Sequence, residues 1–125
     1  MKAPRGSRVI DVDVFHCEVL VLFNQTQINQ FIKINNLKSD TIGNADGTAL
    51  QFVKDDEAPF LVMASKGWSF STLAHESVHI AHFILDNAGV PINMENTEIV
   101  AYLTQHLFVS VADRLELSSV KTKTR

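Results

Sequence analysis

Three of the five histidines of this chain fall within eight residues, in the run Leu73-Ala74-His75-Glu76-Ser77-Val78-His79-Ile80-Ala81-His82. Within it, His75-Glu76-Ser77-Val78-His79 has the pattern H-E-x-x-H. At about 100° per residue, positions four apart on a helix lie roughly 40° from each other and one turn along the axis. Two imidazoles so placed can bind one zinc ion from the same face. Glu76 lies about 100° round from His75, too far to be a good ligand and well placed to reach a water on that ion. That is the general-base position of zinc hydrolases. A plainer alternative is a core histidine pair whose nitrogens are satisfied by backbone carbonyls. The residues alone leave both readings open.

Two nitrogens do not complete a catalytic zinc site, so a third ligand is expected. Downstream, Glu95-Asn96-Thr97-Glu98-Ile99-Val100-Ala101-Tyr102 reads as the start of another helix, with eighteen residues between His79 and Glu98. Glu98 is the first candidate, and Glu95 competes from one turn earlier, about 60° round. Acids in a first helical turn are also common simply because they complement the helix dipole. Tyr102, one turn beyond Glu98, is a candidate hydrogen-bond donor to a developing oxyanion. His82 follows His79 too closely for one straight helix to aim all three imidazoles at one ion.

On these residues the chain resembles the gluzincins, metallopeptidases with an H-E-x-x-H helix and a glutamate ligand on the following helix. The stretch from the motif through Asn93–Glu98 to Ala101-Tyr102-Leu103 also resembles small zincin-like proteins of tailed bacteriophages, and the helix His75 to His82 followed by a glutamate helix faintly resembles anti-repressor proteases that cut one transcription factor. The likeness covers roughly residues 60 to 110. It implies that His75, His79 and Glu98 hold Zn2+ and that Glu76 is the general base. A zinc-bound water would then attack a peptide carbonyl while Glu76 carries its proton to the leaving amine. It also implies that the run Phe60 to Ala64 is the edge strand that pairs with an extended substrate. Larger gluzincins carry a second domain after the glutamate, whereas only twenty-seven residues follow Glu98 here. The alternative is therefore a zinc-bearing structural or interaction module, virion-associated or an inhibitor of a host protein, with little turnover.

The elements that must position these residues are legible as periodicity. Residues 9 to 23 read as one long strand, with Ile10, Val12 and Val14 alternating with Asp11 and Asp13. The phase then slips near Phe15–His16, which predicts a bulge or a second half buried on both faces. Asn24 caps a first helix to about Leu37. Asp46-Gly47 predicts a turn, and Thr48 to Val53 with Phe60 to Ala64 predict a β-hairpin. The motif helix starts after Ser71 and stops at Gly89 and Pro91; its apolar residues on several sides predict a largely buried element. A third helix runs from Met94 or Glu95 to Leu117, with a core stripe of Ile99, Val100, Leu103, Leu107, Phe108, Val111 and Leu115. The predicted fold class is α+β: a single zincin-like domain over 1–125, with a small antiparallel or mixed sheet packed on the motif helix and the glutamate-bearing helix. The ordered core is expected over about 9–117, with flexible basic termini.

Composition bounds the rest. With 125 residues and 46% hydrophobic positions, the chain suits one globular domain. No apolar run approaches the roughly 20 residues that cross a bilayer, and Met1–Gly6 leads into no signal-peptide core. Cys17 is the single cysteine, so no internal disulfide forms, which fits a reducing cytoplasm. Six of the eleven bases lie at the two ends. The body between residues 9 and 120 sets five bases against fourteen acids, a net charge of −9. That argues against nucleic acid as a partner of the folded body. The expected partner is a protein or peptide substrate, or a phage or host protein, in the cytoplasm (the host's, if the chain is phage-encoded).

Overall fold

The structure is a computed structural model that describes residues 1–43 and 46–123, with side chains described through Leu115. Its strands are β1 (Arg8–Val12), β2 (Cys17–Leu22), β3 (Thr48–Phe52) and β4 (Phe60–Ala64). Its α-helices are α1 (Gln25–Ile34), α2 (Phe70–Asn87) and α3 (Thr97–Lys123). The strands form one mixed sheet in the order β1-β2-β4-β3. β2 and β4 are parallel, while the outer strands run antiparallel to their neighbours. The fold is α+β, as the sequence predicts.

Alternation along the two central strands divides the core. Val19 and Val21 of β2, with Leu61 and Met63 of β4, face α2 and α3 together with Leu73, Ile80, Leu103 and Leu107. Leu20, Leu22, Val62 and Ala64 point the other way and pack with Ile28 and Phe31 of α1. Both faces of β2 and β4 are covered, so their sequences read as unbroken apolar runs. Phe31 is fully buried and lies between Phe52 and Phe60, with ring centroids at 6.0 Å and 6.4 Å.

Several local expectations are corrected. The apparent long strand over 9–23 is a tight hairpin: β1 pairs with β2 through a 3-10 turn at Asp13–Phe15. His16 closes that turn in the left-handed region at φ 52°. Val14 consequently leaves the alternating pattern and is 70% exposed. The predicted hairpin of β3 and β4 is present, in register from Thr48↔Ala64 to Phe52↔Phe60. However, β4 is a central strand and β3 is the edge, so Phe60–Ala64 cannot offer a free edge to a substrate.

Both early helices have side-chain caps. The Asn24 side chain accepts the Gln27 N–H at the start of α1, as the sequence predicts. Ser69, two residues before the predicted cap, accepts the Thr72 N–H and starts α2. Gly89, at φ 72°, follows its end. A 3-10 turn at Met94–Asn96, capped by Asn93, precedes α3, which continues to Lys123 instead of ending near Leu117. The N-terminal segment is docked, not free. The Lys2 backbone exchanges hydrogen bonds of 2.7 Å and 2.9 Å with the Asn35 side chain. The Gly6 carbonyl accepts from Arg114, whose guanidinium lies 4.0 Å from the Phe23 ring centroid. Among the described residues no helix is long and apolar enough to cross a membrane.

Candidate metal centre on the exposed face of the second helix

The sequence predicts a largely buried α2, but the helix is two-sided. Leu73, Ser77, Ile80, Ala81, Ile84 and Leu85 are buried against the sheet and α3. Ala74, His75, Val78 and His79 lie on the open side. Their apolar members give the misleading all-round hydrophobicity. This exposure overturns the alternative of a core histidine pair bonded to carbonyls.

The two imidazoles instead face each other, with His75 Nε2 and His79 Nε2 3.2 Å apart and ring centroids 4.8 Å apart. A tetrahedral zinc ion about 2.0–2.1 Å from each of two nitrogens holds them about 3.3 Å apart. The observed separation is close to that spacing, and with no ion between them it is also the length of a hydrogen bond from one ring to the other. Glu76 completes a group with the two histidines in which the ligand atoms all lie within 4.8 Å of one another. It differs from them in being 7% exposed. The two histidines are thus exposed and the carboxylate between them in sequence is buried.

Glu76 is sheltered by the loop before β3. A Cβ built on Gly47 would lie 2.3 Å from Thr72 Cγ2, 3.1 Å from Glu76 Cγ and 3.3 Å from Glu76 Oε2. Gly47 thus serves close backbone approach to α2, not the turn that Asp46-Gly47 suggests in the sequence. The Asp46 carbonyl accepts a hydrogen bond from Ser65, a buried hydroxyl that also accepts from the Gly67 N–H at 3.1 Å. Trp68 donates its indole N–H to the Leu22 carbonyl at 3.0 Å, fixing the entry into α2. Between these loops and the first turns of α2 opens a cleft of about 330 Å³, lined by Asp46, Gly47, Ser71, Thr72, His75 and Glu76. Sequence reasoning did not find Asp46 or Thr72 as parts of the site, because only the tertiary crossing of loop and helix brings them there.

The remaining candidates are not in the group. Glu98 stands exposed in the first turn of α3, and Glu95 is exposed in the preceding 3-10 turn. Tyr102 is 58% exposed and stacks on His106, with ring centroids 6.5 Å apart at 7°. His106 Nε2 lies 3.0 Å from the Asp11 carbonyl, which ties this flank of α3 to β1. Tyr102 and His106 line a depression that shares no residue with the cleft. His82 is half-buried and outside the group.

Compared with protein-family models, with curated proteins and with solved structures, the chain matches none.

Proposed function

We propose that the protein is a zinc-dependent metallopeptidase. The observation that carries this reading is the pair of exposed Nε2 atoms at 3.2 Å with the sheltered Glu76 carboxylate beside them at the mouth of a cleft. His75 and His79 would hold the ion. Glu98 is the carboxylate that the resemblance assigns as third ligand, and it stands outside the group. When bound, zinc supplies a Lewis acid and a water of lowered pKa. Glu76 would take the proton of the attacking water and return it to the leaving amine nitrogen, which needs one carboxylate reaching both positions. Glu76 is 7% exposed, and Gly47 packs the loop against it.

The edge that receives an extended substrate is assigned to β3 in place of Phe60–Ala64. β3 begins directly after Gly47, beside Glu76, and among the described residues its outer side has no sheet partner, which supports pairing of an extended substrate there. The substrate is then a protein or peptide, met in the cytoplasm.

One observation favours a second reading, a zinc-bearing interaction module with little turnover: among the described residues the group contains two histidines and Glu76, and no further ligand. Glu76→Gln separates the two. The metallopeptidase keeps its zinc and fold in that variant while peptide hydrolysis falls by about 10²–10⁴. The module loses neither zinc nor partner binding. Full proteolytic activity in Glu76→Gln would sink the mechanism.

A further inference from the structure

We propose that Asp46 is a specificity-determining residue, and that the cleft beside Glu76 receives a cationic group of the substrate, an ammonium or a guanidinium. This rests on the metallopeptidase reading and names the substrate class of that same site.

The lining of the cleft decides its chemistry. Its two acids are Asp46 on the loop wall and Glu76 on the helix wall, with the hydroxyl residues Ser71 and Thr72, the imidazole of His75 and the bare backbone of Gly47 between them. Among the described residues no lysine or arginine lines it, and no aliphatic or aromatic side chain does. An apolar side chain would find no apolar wall there, and an acidic one would meet two carboxylates. A cation finds acceptors on both sides.

The two acids are not equivalent. Glu76 is more than nine-tenths buried, lines the same cavity, and accepts no hydrogen bond from the described residues. Its place beside the histidines commits it to the proton. Asp46 is exposed at the other wall and is not a member of the group formed by His75, Glu76 and His79. Its backbone is nevertheless fixed. The carbonyl is bonded by buried Ser65, and the next residue, Gly47, is wedged against Thr72 and Glu76. A carboxylate on a fixed loop at the rim of a polar cleft can rank substrates by charge without taking part in the proton transfer. The folded body, at net −9 between residues 9 and 120, draws cations toward the molecule generally. Only Asp46 converts that attraction into a preference at one substrate position.

The test uses the zinc-loaded full chain and N-acetylated peptides that carry Lys, Arg, norleucine or Glu at each position around the cut. A parallel set has free N-termini. The expected result is a kcat/KM at least about tenfold higher for Lys or Arg than for norleucine at one position. Asp46→Asn should bring that ratio close to one, and Asp46→Lys should invert it so that Glu is preferred. A preference confined to free N-termini and lost in Asp46→Asn identifies the α-ammonium as the cation and supports the proposal equally. A Lys-to-norleucine ratio unchanged in both variants overturns it.

If the zinc-loaded protein cuts no peptide, the metallopeptidase reading fails and binding decides the proposal. Addition of Nα-acetyl-lysine amide should then shift the Gly47 and Thr72 amide signals in an NMR titration, and Nα-acetyl-norleucine amide should not. Loss of that difference in Asp46→Asn supports the assignment. Equal shifts, or none, from the two compounds overturn it.

Discussion

Gly47 and Glu76 touch across the boundary between the loop before β3 and the motif helix: a Cβ on Gly47 would stand 3.3 Å from Glu76 Oε2 and 2.3 Å from Thr72 Cγ2. The absence of one side chain thus lets a loop lie flat on a helix and shelter a carboxylate. A side chain at position 47 therefore needs the Thr72 methyl, the Glu76 side chain or the loop to shift.

Gly47→Ala is therefore expected to destabilise the protein by about 1–3 kcal/mol, the range for forcing a methyl into a filled space. The clash is chiefly with one methyl group, so Thr72→Ser, which deletes it, should recover a large part of the loss. Denaturant unfolding of the two single variants and the double variant gives the coupling. Additive effects would mean that the loop and Thr72 do not meet as described.

Ser77 makes the opposite prediction. Its hydroxyl is fully buried on α2 and has no hydrogen-bond partner, the only such side-chain atom among the described residues. A buried polar group without a partner costs about 1–3 kcal/mol relative to one that is paired or removed. Ser77→Ala should leave stability unchanged or raise it, although the position lies next to Glu76 within the motif. A clear loss of stability in thermal unfolding would show that the hydroxyl is bonded after all.

Cys17 is half-buried, and burial raises the pKa of its thiol above the usual value. Only the thiolate reacts with alkylating agents, so a raised pKa lowers the reactive fraction at any given pH below it. Native protein near neutral pH should be alkylated by iodoacetamide more slowly than the same protein unfolded in denaturant. An equal or faster rate in the native state would contradict the burial.

Much of the frame is legible in the sequence, because β4, the β3–β4 hairpin and the helices follow from apolar runs, caps and stop signals that act locally. His16 is where that fails. A left-handed residue closing a tight turn is usually signalled by glycine or asparagine, and here the chain has histidine. The slip in phase showed that something happens there, and a hairpin looked like one long strand. The sequence pattern makes the motif helix look more buried than it is, because Val78 and Ala74 count as apolar wherever they point. Strand order is a non-local property, so Phe60–Ala64 was expected at the edge and lies in the centre. In the site, His75, Glu76 and His79 were legible from helical spacing alone. Asp46 and Thr72 were not, since they meet only when the loop crosses α2. Glu98 was named from its spacing and family likeness, and helical spacing cannot say whether the first turn of α3 reaches the histidines.

The proposed metal centre requires that His75 and His79 hold one ion together. Native mass spectrometry of the chain, purified without a histidine tag or added metal and then reconstituted with zinc, measures this directly. The predicted result is close to one zinc per chain, lost when both His75 and His79 are replaced by alanine and weakened in Glu98→Ala if that glutamate is the third ligand. Zinc bound equally by the double histidine variant, or no zinc in the parent after reconstitution, would contradict the assignment of this helix face as a metal centre.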